Sequence, residues 1–130
     1  MSMPVAKRGD RVVGIDTHVI LLPSPAGPVP TPMPLPFVGT LQQDLSSTVV
    51  SEHQPVALVD SVALNLPPHI PLGGPFQSPP SNRATIKSGS PTVLVEHRAL
   101  ARANDPATCC NDPSDEETGH IVAMGTVSAG

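Results

Sequence analysis

Short runs of Val, Leu and Ile recur along the chain, and Gly, Ser, Asp or Pro residues bound them. Such runs are typical of short strands joined by tight turns. No window carries an apolar stripe of helical period longer than about three turns. Only residues 112–118, with Asp112 before Pro113, have the signals of a short helical turn. The predicted strands are 11–15, 48–50, 59–66, 92–96 and 121–127. The pattern therefore predicts an all-β fold with little helix.

Prolines are concentrated in two clusters between these runs. Seven of the 18 prolines lie from Pro23 to Pro36. Each proline fixes φ and lacks a backbone N–H, which excludes a helix interior or a central strand. We therefore expect a polyproline-type rod at this segment. The second cluster, at 67–80 around Gly73 and Gly74, predicts an ordered loop rich in turns.

An internal repeat relates two predicted strand pairs. Residues 46–57 and 90–101 carry Ser, Thr, Val, Glu, His and Ala at equivalent positions, and residues 4–10 form a shorter third copy. In the two longer copies a polar Glu-His step separates two short strands, which is typical of a β-hairpin. The repeat predicts hairpins whose turn histidines, His53 and His97, are solvated.

The composition restricts the function classes. The chain has 130 residues, a net charge of −4, two Phe, and no Trp or Tyr. Its length fits one domain over residues 1–130. The few aromatic residues argue against a large ligand pocket, and the weak acidic balance argues against nucleic acid as a partner. Residues 1–11 lack the apolar core of a signal peptide. We therefore expect folding in the cytoplasm, and any export would need a dedicated machine.

The repeat carries a specific motif, Pro-x-Ala-x-x-Gly-Asp. It reads in full at 4–10, in part at 55–57, and as Ala-Leu-Ala-Arg-Ala-Asn-Asp at 99–105. In this motif the chain resembles the PAAR-repeat family, and the resemblance extends over roughly residues 3–127. Further matching elements are Asp16-Thr17-His18, the proline segment ending in Phe37, and the segments 67–71, 79–83, 88–90 and 110–113.

The resemblance implies a small cone of short β-hairpin repeats that caps a trimeric β-helical spike, one tip per trimer. Such spikes belong to type VI secretion systems or related phage-tail-like contractile injection particles. The implied role is structural and not enzymatic. The tip pierces the target membrane mechanically when the particle fires, and effector cargo is a further implied partner. We expect 62–66 and 121–127 to pair with or cap the ends of the spike's strands.

The resemblance also implies a structural zinc ion near the apex. The matching ligand positions are His18, His69 and Cys110. Members with this proline segment carry a further histidine where Leu35 stands here. Cys109 or a water molecule would then supply the fourth ligand, or the metal would be absent. Neighbouring residues of an extended strand point to opposite faces, which argues against Cys109.

Other functions remain as alternatives. An open coordination position left by Leu35 would suit a small metal-dependent hydrolase, and a free-standing adhesion or scaffold module is the second rival. A nucleophilic cysteine with His69 or His120 as its base has no supporting spacing. A Cys109–Cys110 disulfide would be strained. The carboxylates at 112 and 115–117 lack the spacing of a calcium loop.

Overall fold

The protein is built entirely from strands, as the sequence predicts. The computed structural model describes residues 2–130, and in that range there is no helix, hence none that is long and apolar enough to cross a membrane. The strands are β1 (Met3–Pro4), β2 (Arg11–Leu22), β3 (Val29–Gln43), β4 (Val50–Ser51), β5 (Gln54–Pro55), β6 (Val62–Asn65), β7 (Arg83–Ile86), β8 (Leu94–Val95), β9 (Arg98–Ala99), β10 (Pro106–Cys109), β11 (Glu116–Val122) and β12 (Ser128–Ala129).

Six of these strands close into an antiparallel barrel, which the sequence analysis did not predict. The order around the barrel is β10, β11, β2, β3, β6 and β7. Closure leaves no unpaired strand edge in the barrel wall. Small side chains allow so narrow a barrel to be filled, and its buried core includes Ala63, Ala84 and Ala107 beside Phe37 and Leu41.

One end of the barrel is closed by a ring of three alanines. The backbone N–H of Ala6 donates to the carbonyl of Ala101 at 2.9 Å, that of Ala57 to Ala6 at 2.9 Å, and that of Ala101 to Ala57 at 3.0 Å. All three residues are fully buried. The hydrogen bonds form a closed cycle with pseudo-threefold symmetry.

The turns that follow the alanines repeat the same threefold pattern. The backbone N–H of the next residue donates to the side chain three residues on, in the pairs Lys7–Asp10, Leu58–Ser61 and Arg102–Asp105. Each turn contains one residue at positive φ: Gly9 at 92°, Asp60 at 77° and Asn104 at 71°. These equivalent contacts confirm the internal repeat.

Short hairpins extend from this ring. Strands β4 and β5 pair around Glu52-His53, and β8 and β9 pair around Glu96-His97. All four turn residues have positive φ, and both histidines are exposed, which confirms the predicted hairpins. Next to Ala6, the remaining alanine of the ring, β1 pairs with β12. The ring and these three strand pairs are called the base below.

Acceptor groups link each strand pair of the base to its neighbour. The Glu96 carboxylate accepts hydrogen bonds from the hydroxyls of Ser46 and Thr48. The Glu52 carboxylate accepts from the backbone N–H and hydroxyl of Thr126 at 2.7 and 3.1 Å. The equivalent third contact has the Gly130 carbonyl accepting from the hydroxyls of Ser90 and Thr92. The three links complete a second cycle around the base.

At the other end, β2 and β3 extend beyond the barrel as a two-stranded hairpin. Strand β11 pairs with β2 only over Arg11–Gly14, whereas the β2–β3 pairing continues to Leu22 and Val29. The structure therefore narrows from six strands to two. The loops 66–82 and 110–115 cover this hairpin, through backbone hydrogen bonds such as Leu21 to Pro75 and Asp112 to Thr17.

The prediction of a polyproline rod was wrong, because the prolines lie in the paired strand β3. Pro30, Pro32, Pro34 and Pro36 occupy every second position. In a strand, successive N–H groups point to opposite edges, so the missing donors all lie on the edge away from β2. The four prolines are exposed. The alternation thus lets the segment serve as an edge strand.

Three smaller expectations also need correction. Residues 112–118 form no helical turn: the chain bends there and enters β11 at Glu116. The final predicted strand ends at Val122, before residue 127. Strand β6 pairs with β3 and β7, and β11 with β10 and β2, so the expected edge pairing of 62–66 and 121–127 with spike strands is corrected, whereas capping by these segments stays a prediction.

Candidate metal centre

Four potential metal ligands meet beside the extended β2–β3 hairpin. Asp16 and His18 lie two positions apart on β2, and therefore face the same side of the strand. His69 comes from the loop 66–82, and Cys110 follows the end of β10. One ligand atom from each lies within 4.8 Å of the others. The fold thus brings together His18, His69 and Cys110, the three residues expected from the sequence, and adds Asp16.

The ligand atoms converge on one small volume. Asp16 Oδ2 lies 2.9 Å from His69 Nε2 and 3.2 Å from Cys110 Sγ. His18 Nε2 lies 3.6 Å from the same sulfur. The two imidazole centroids are 5.2 Å apart. One oxygen, two nitrogens and one sulfur therefore surround a common point.

The cluster is enclosed and incompletely hydrogen-bonded. Asp16 is fully buried, and the His18, His69 and Cys110 side chains are nearly so. Asp16 Oδ1 and His18 Nδ1 have no hydrogen-bond partner. A buried carboxylate oxygen that accepts no hydrogen bond is costly. A cation held by these groups would compensate that charge.

The two adjacent cysteines have different surroundings. Burial raises the pKa of the Cys110 thiol to about 11, and its hydrogen bond to Asp16 adds to the effect. Burial likewise raises the pKa of the Cys109 thiol to about 12. Cys109 points into the barrel core beside Gly119 and Val12. Both thiols are free, and only Cys110 belongs to the cluster.

Neighbouring side chains fix the two imidazoles. The backbone N–H of His69 donates to Asn82 Oδ1 at 2.8 Å, and its Nδ1 lies 3.3 Å from Asn65 Nδ2. Phe37 packs edge-on against the His69 ring, and Phe76 packs edge-on against the His18 ring. Both phenylalanines of the chain thus pack against an imidazole of this site.

Asp16 is the ligand that sequence reasoning missed. Its signal was the spacing of Asp16 and His18, which places both side chains on one face of any strand. With Leu35 at the position where the resemblance implies a histidine, the sequence offered Cys109 or water as the fourth ligand. In the structure, Asp16 is the direct cross-strand partner of Leu35.

The remaining histidines and acidic residues lie elsewhere. His53 and His97 occupy exposed hairpin turns, and His120 is exposed on β11. Residues 115–117 are exposed acidic residues. Only Asp112 approaches the cluster, with Oδ2 at 3.4 Å from His18 Nδ1.

The arrangement supplies four donors from three chain segments in a closed setting. Four protein ligands are typical of structural metal sites, whereas catalytic sites leave one position open. The cluster therefore has the donors to bind one metal ion and to join the β2–β3 hairpin to the two loops. Comparisons with protein-family models, curated proteins and solved structures return no match.

Proposed function

We propose that this protein is the zinc-stabilised tip of a contractile injection spike, seated through its base on a trimeric β-helical spike protein. The observation that carries this proposal is the threefold cycle of backbone hydrogen bonds between Ala6, Ala57 and Ala101. A single chain with a pseudo-threefold end matches the symmetry of a trimer at one copy per three chains. The segments 4–10, 55–57 and 99–105, on which the resemblance to the PAAR-repeat family rests, each contain one alanine of this ring.

The base offers exposed apolar side chains for such a contact. Val50 and Leu94 occupy equivalent hairpin positions, with exposures of 65% and 68%. Val49 and Val127 add further exposed apolar surface. Removing this surface from water would favour docking on the end of a β-helix.

The opposite end supports a mechanical role. Beyond Ile15 the barrel gives way to one hairpin and two covering loops. So thin a section has little room for an apolar core, and small domains replace missing cores with metals or other covalent constraints. The four-ligand cluster lies in this section. We propose that prolines and metal together keep the point rigid as it enters a target membrane.

Zinc is the proposed ion because of the donor set. Imidazole nitrogens, a thiolate and a carboxylate are common zinc ligands, whereas calcium and magnesium prefer oxygen ligands alone. Bound zinc would supply charge compensation and cross-linking of the three segments. Holding Cys110 as a thiolate would require the ion to displace the thiol proton.

Metal analysis of the purified chain tests this site. We expect one zinc per chain, and a cobalt-substituted form with a sulfur-to-cobalt absorption band. Cys110→Ser and His69→Ala should each reduce occupancy strongly. Cys109→Ser is the matched control, because its thiol is equally buried but lies outside the cluster. Equal metal loss in Cys109→Ser, or a metal-free wild type, would contradict the proposal.

The closed ligand set favours this role over a metal-dependent hydrolase. A hydrolytic metal needs a position for water and access for substrate, and here the four donors are buried. The scaffold alternative has no specific observation in its favour. Folding in the cytoplasm, export on firing and carriage of effector cargo belong to the same proposal.

Co-purification with a trimeric spike protein tests the docking surface. Val50→Glu combined with Leu94→Glu should abolish the complex, because both charges would be buried at the interface. The control pair is Ile70→Glu with Leu72→Glu, in the loop near the opposite end, whose wild-type exposures are 68% and 59%. Loss of binding in the control pair, or retention in the base pair, would sink the docking proposal.

A further inference from the structure

Asp112 lies between solvent and the cluster of Asp16, His18, His69 and Cys110. Its backbone N–H donates to the Thr17 carbonyl at 2.8 Å, and its Oδ2 accepts from the Val19 N–H at 2.8 Å. These contacts hold the carboxylate against β2. The same Oδ2 lies 3.4 Å from His18 Nδ1.

A cavity reaches the outer side of this carboxylate. It has a volume of about 330 Å³, is open to solvent, and is lined by Val19, Gln77, Ser78, Asp112 and Pro113. The Asp112 side chain is 17% exposed, whereas the His18 side chain behind it is 1% exposed. Asp112 therefore lies on the solvent side of His18.

His18 faces the cluster with one nitrogen and Asp112 with the other. Nε2 approaches Cys110, and Nδ1 has no hydrogen-bond partner of its own. Imidazoles that bind a metal through one nitrogen commonly donate the other N–H to a carboxylate, which fixes the ring. Asp112 Oδ2 is the acceptor that the fold places beside His18 Nδ1.

We propose that Asp112 is the outer carboxylate through which a divalent metal ion enters the cluster, and that it positions His18 with Nε2 toward the ion. This inference rests on the proposed metal site. The ion is first attracted to the carboxylate in the cavity. His18 and the three other ligands would hold the ion, and Asp112 Oδ2 would accept a hydrogen bond from Nδ1–H of His18.

Rapid mixing of the metal-free full chain with cobalt tests this role. The growth of the sulfur-to-cobalt band reports entry into the cluster directly. We expect Asp112→Asn to slow metal uptake about 10-fold or more, because a properly placed charge raises the local ion concentration. We also expect a rise in Kd of about 10-fold to 100-fold, as for other partners of metal-bound histidines.

Two further variants separate this role from general effects. Asp115→Asn removes the same charge from an exposed position in the same loop, and should leave uptake within about 2-fold of wild type, since its charge lies in bulk solvent. Asp112→Glu keeps the charge and should recover part of the rate. Asn at 112 retains an acceptor for the Val19 N–H, so equal thermal stability of the metal-free proteins is expected. Nitrogen NMR of His18 in the zinc form should show protonated Nδ1 in the wild type.

The outcomes distinguish the two proposals. No cobalt band in the wild type would contradict the metal site itself. A wild-type band with the same uptake rate in Asp112→Asn would overturn only the role of Asp112. An equal slowing in Asp115→Asn would also overturn it, because the effect would then come from net charge.

Discussion

Asp16 lies directly opposite Leu35 across the β2–β3 pair, on the buried face that holds the four-residue cluster of candidate metal ligands. Directly opposed residues in an antiparallel pair project from the same face and are close neighbours. The resemblance to the PAAR-repeat family implies a histidine at the position of Leu35. A carboxylate from the facing strand thus occupies the space that such a histidine would reach.

This relationship predicts a rescue across the two strands. Asp16→Ala should lower zinc affinity at least 10-fold, because a four-ligand site loses one ligand. Adding Leu35→His to Asp16→Ala should restore much of it, since the new imidazole would enter the same face. Competition with a chromogenic zinc chelator measures the zinc affinity of both variants.

The matched control is Leu35→His alone, which should retain the wild-type ligand set. Failure of the double variant to exceed Asp16→Ala in affinity would show that the two positions are not interchangeable.

The alanine ring should tolerate no larger side chain. Ala57→Leu or Ala101→Leu would place three extra carbons at a fully buried threefold contact. Overpacking of this kind costs about 1–3 kcal/mol of unfolding free energy, or more. Both variants should be affected similarly, because the positions are equivalent. Ala26→Leu, at an exposed turn residue, is the control and should change stability by less than about 0.5 kcal/mol. Denaturant unfolding gives the values.

Protonation of Glu96 at acidic pH should lower the folding stability of the protein. Hydrogen bonds from the hydroxyls of Ser46 and Thr48 lower the pKa of Glu96 from 4.5 to about 2. Because the folded pKa lies below the unfolded value, the stabilisation is present above pH 4.5 and is lost as the pH falls toward about 2. Glu96→Gln should therefore be less stable than wild type at neutral pH, and the gap should close across this window.

Thermal unfolding at a series of pH values measures that gap. Because Asp115 is exposed and lies in the loop 110–115, Asp115→Asn serves as the control for general charge effects. A gap between Glu96→Gln and wild type that stays constant with pH would contradict the assignment.

Glycine in place of either turn histidine is predicted to stabilise the protein. His53 and His97 have φ values of 68° and 67°, a region that costs most residues about 1–2 kcal/mol and glycine little. His53→Gly and His97→Gly should therefore raise the unfolding free energy by up to about 1 kcal/mol, after the added entropy of unfolded glycine. His120→Gly, at an exposed strand position, should lower it instead. Destabilisation in all three would contradict the turn geometry.

The sequence predicted those parts of the fold that depend on local chemistry. The Glu-His steps predicted two-residue turns, and the repeated alanines predicted equivalent positions now seen in the ring. The barrel could not be predicted, because β2 meets β11 only through pairing between residues such as Gly14 and Gly119, far apart in the chain. The alternate prolines predicted a rod and not a strand, because the pattern does not show which edge of the segment is paired.

The four-residue cluster was predicted only in part, because it too depends on contacts between residues far apart in the chain. His18, His69 and Cys110 were expected through the family resemblance, and their proximity depends on two long loops. To predict Asp16 as a candidate ligand, one needs the register between β2 and β3, which places Leu35 opposite Asp16. A residue pattern alone does not provide that register.

Native mass spectrometry of the protein mixed with a trimeric β-helical spike protein tests the proposed docking most directly. The account predicts a complex of one tip chain, three spike chains and one zinc ion. It also predicts that this complex is lost when Val50 and Leu94 both become Glu. A tip chain that stays unbound, or that binds at one copy per spike chain, would contradict the account.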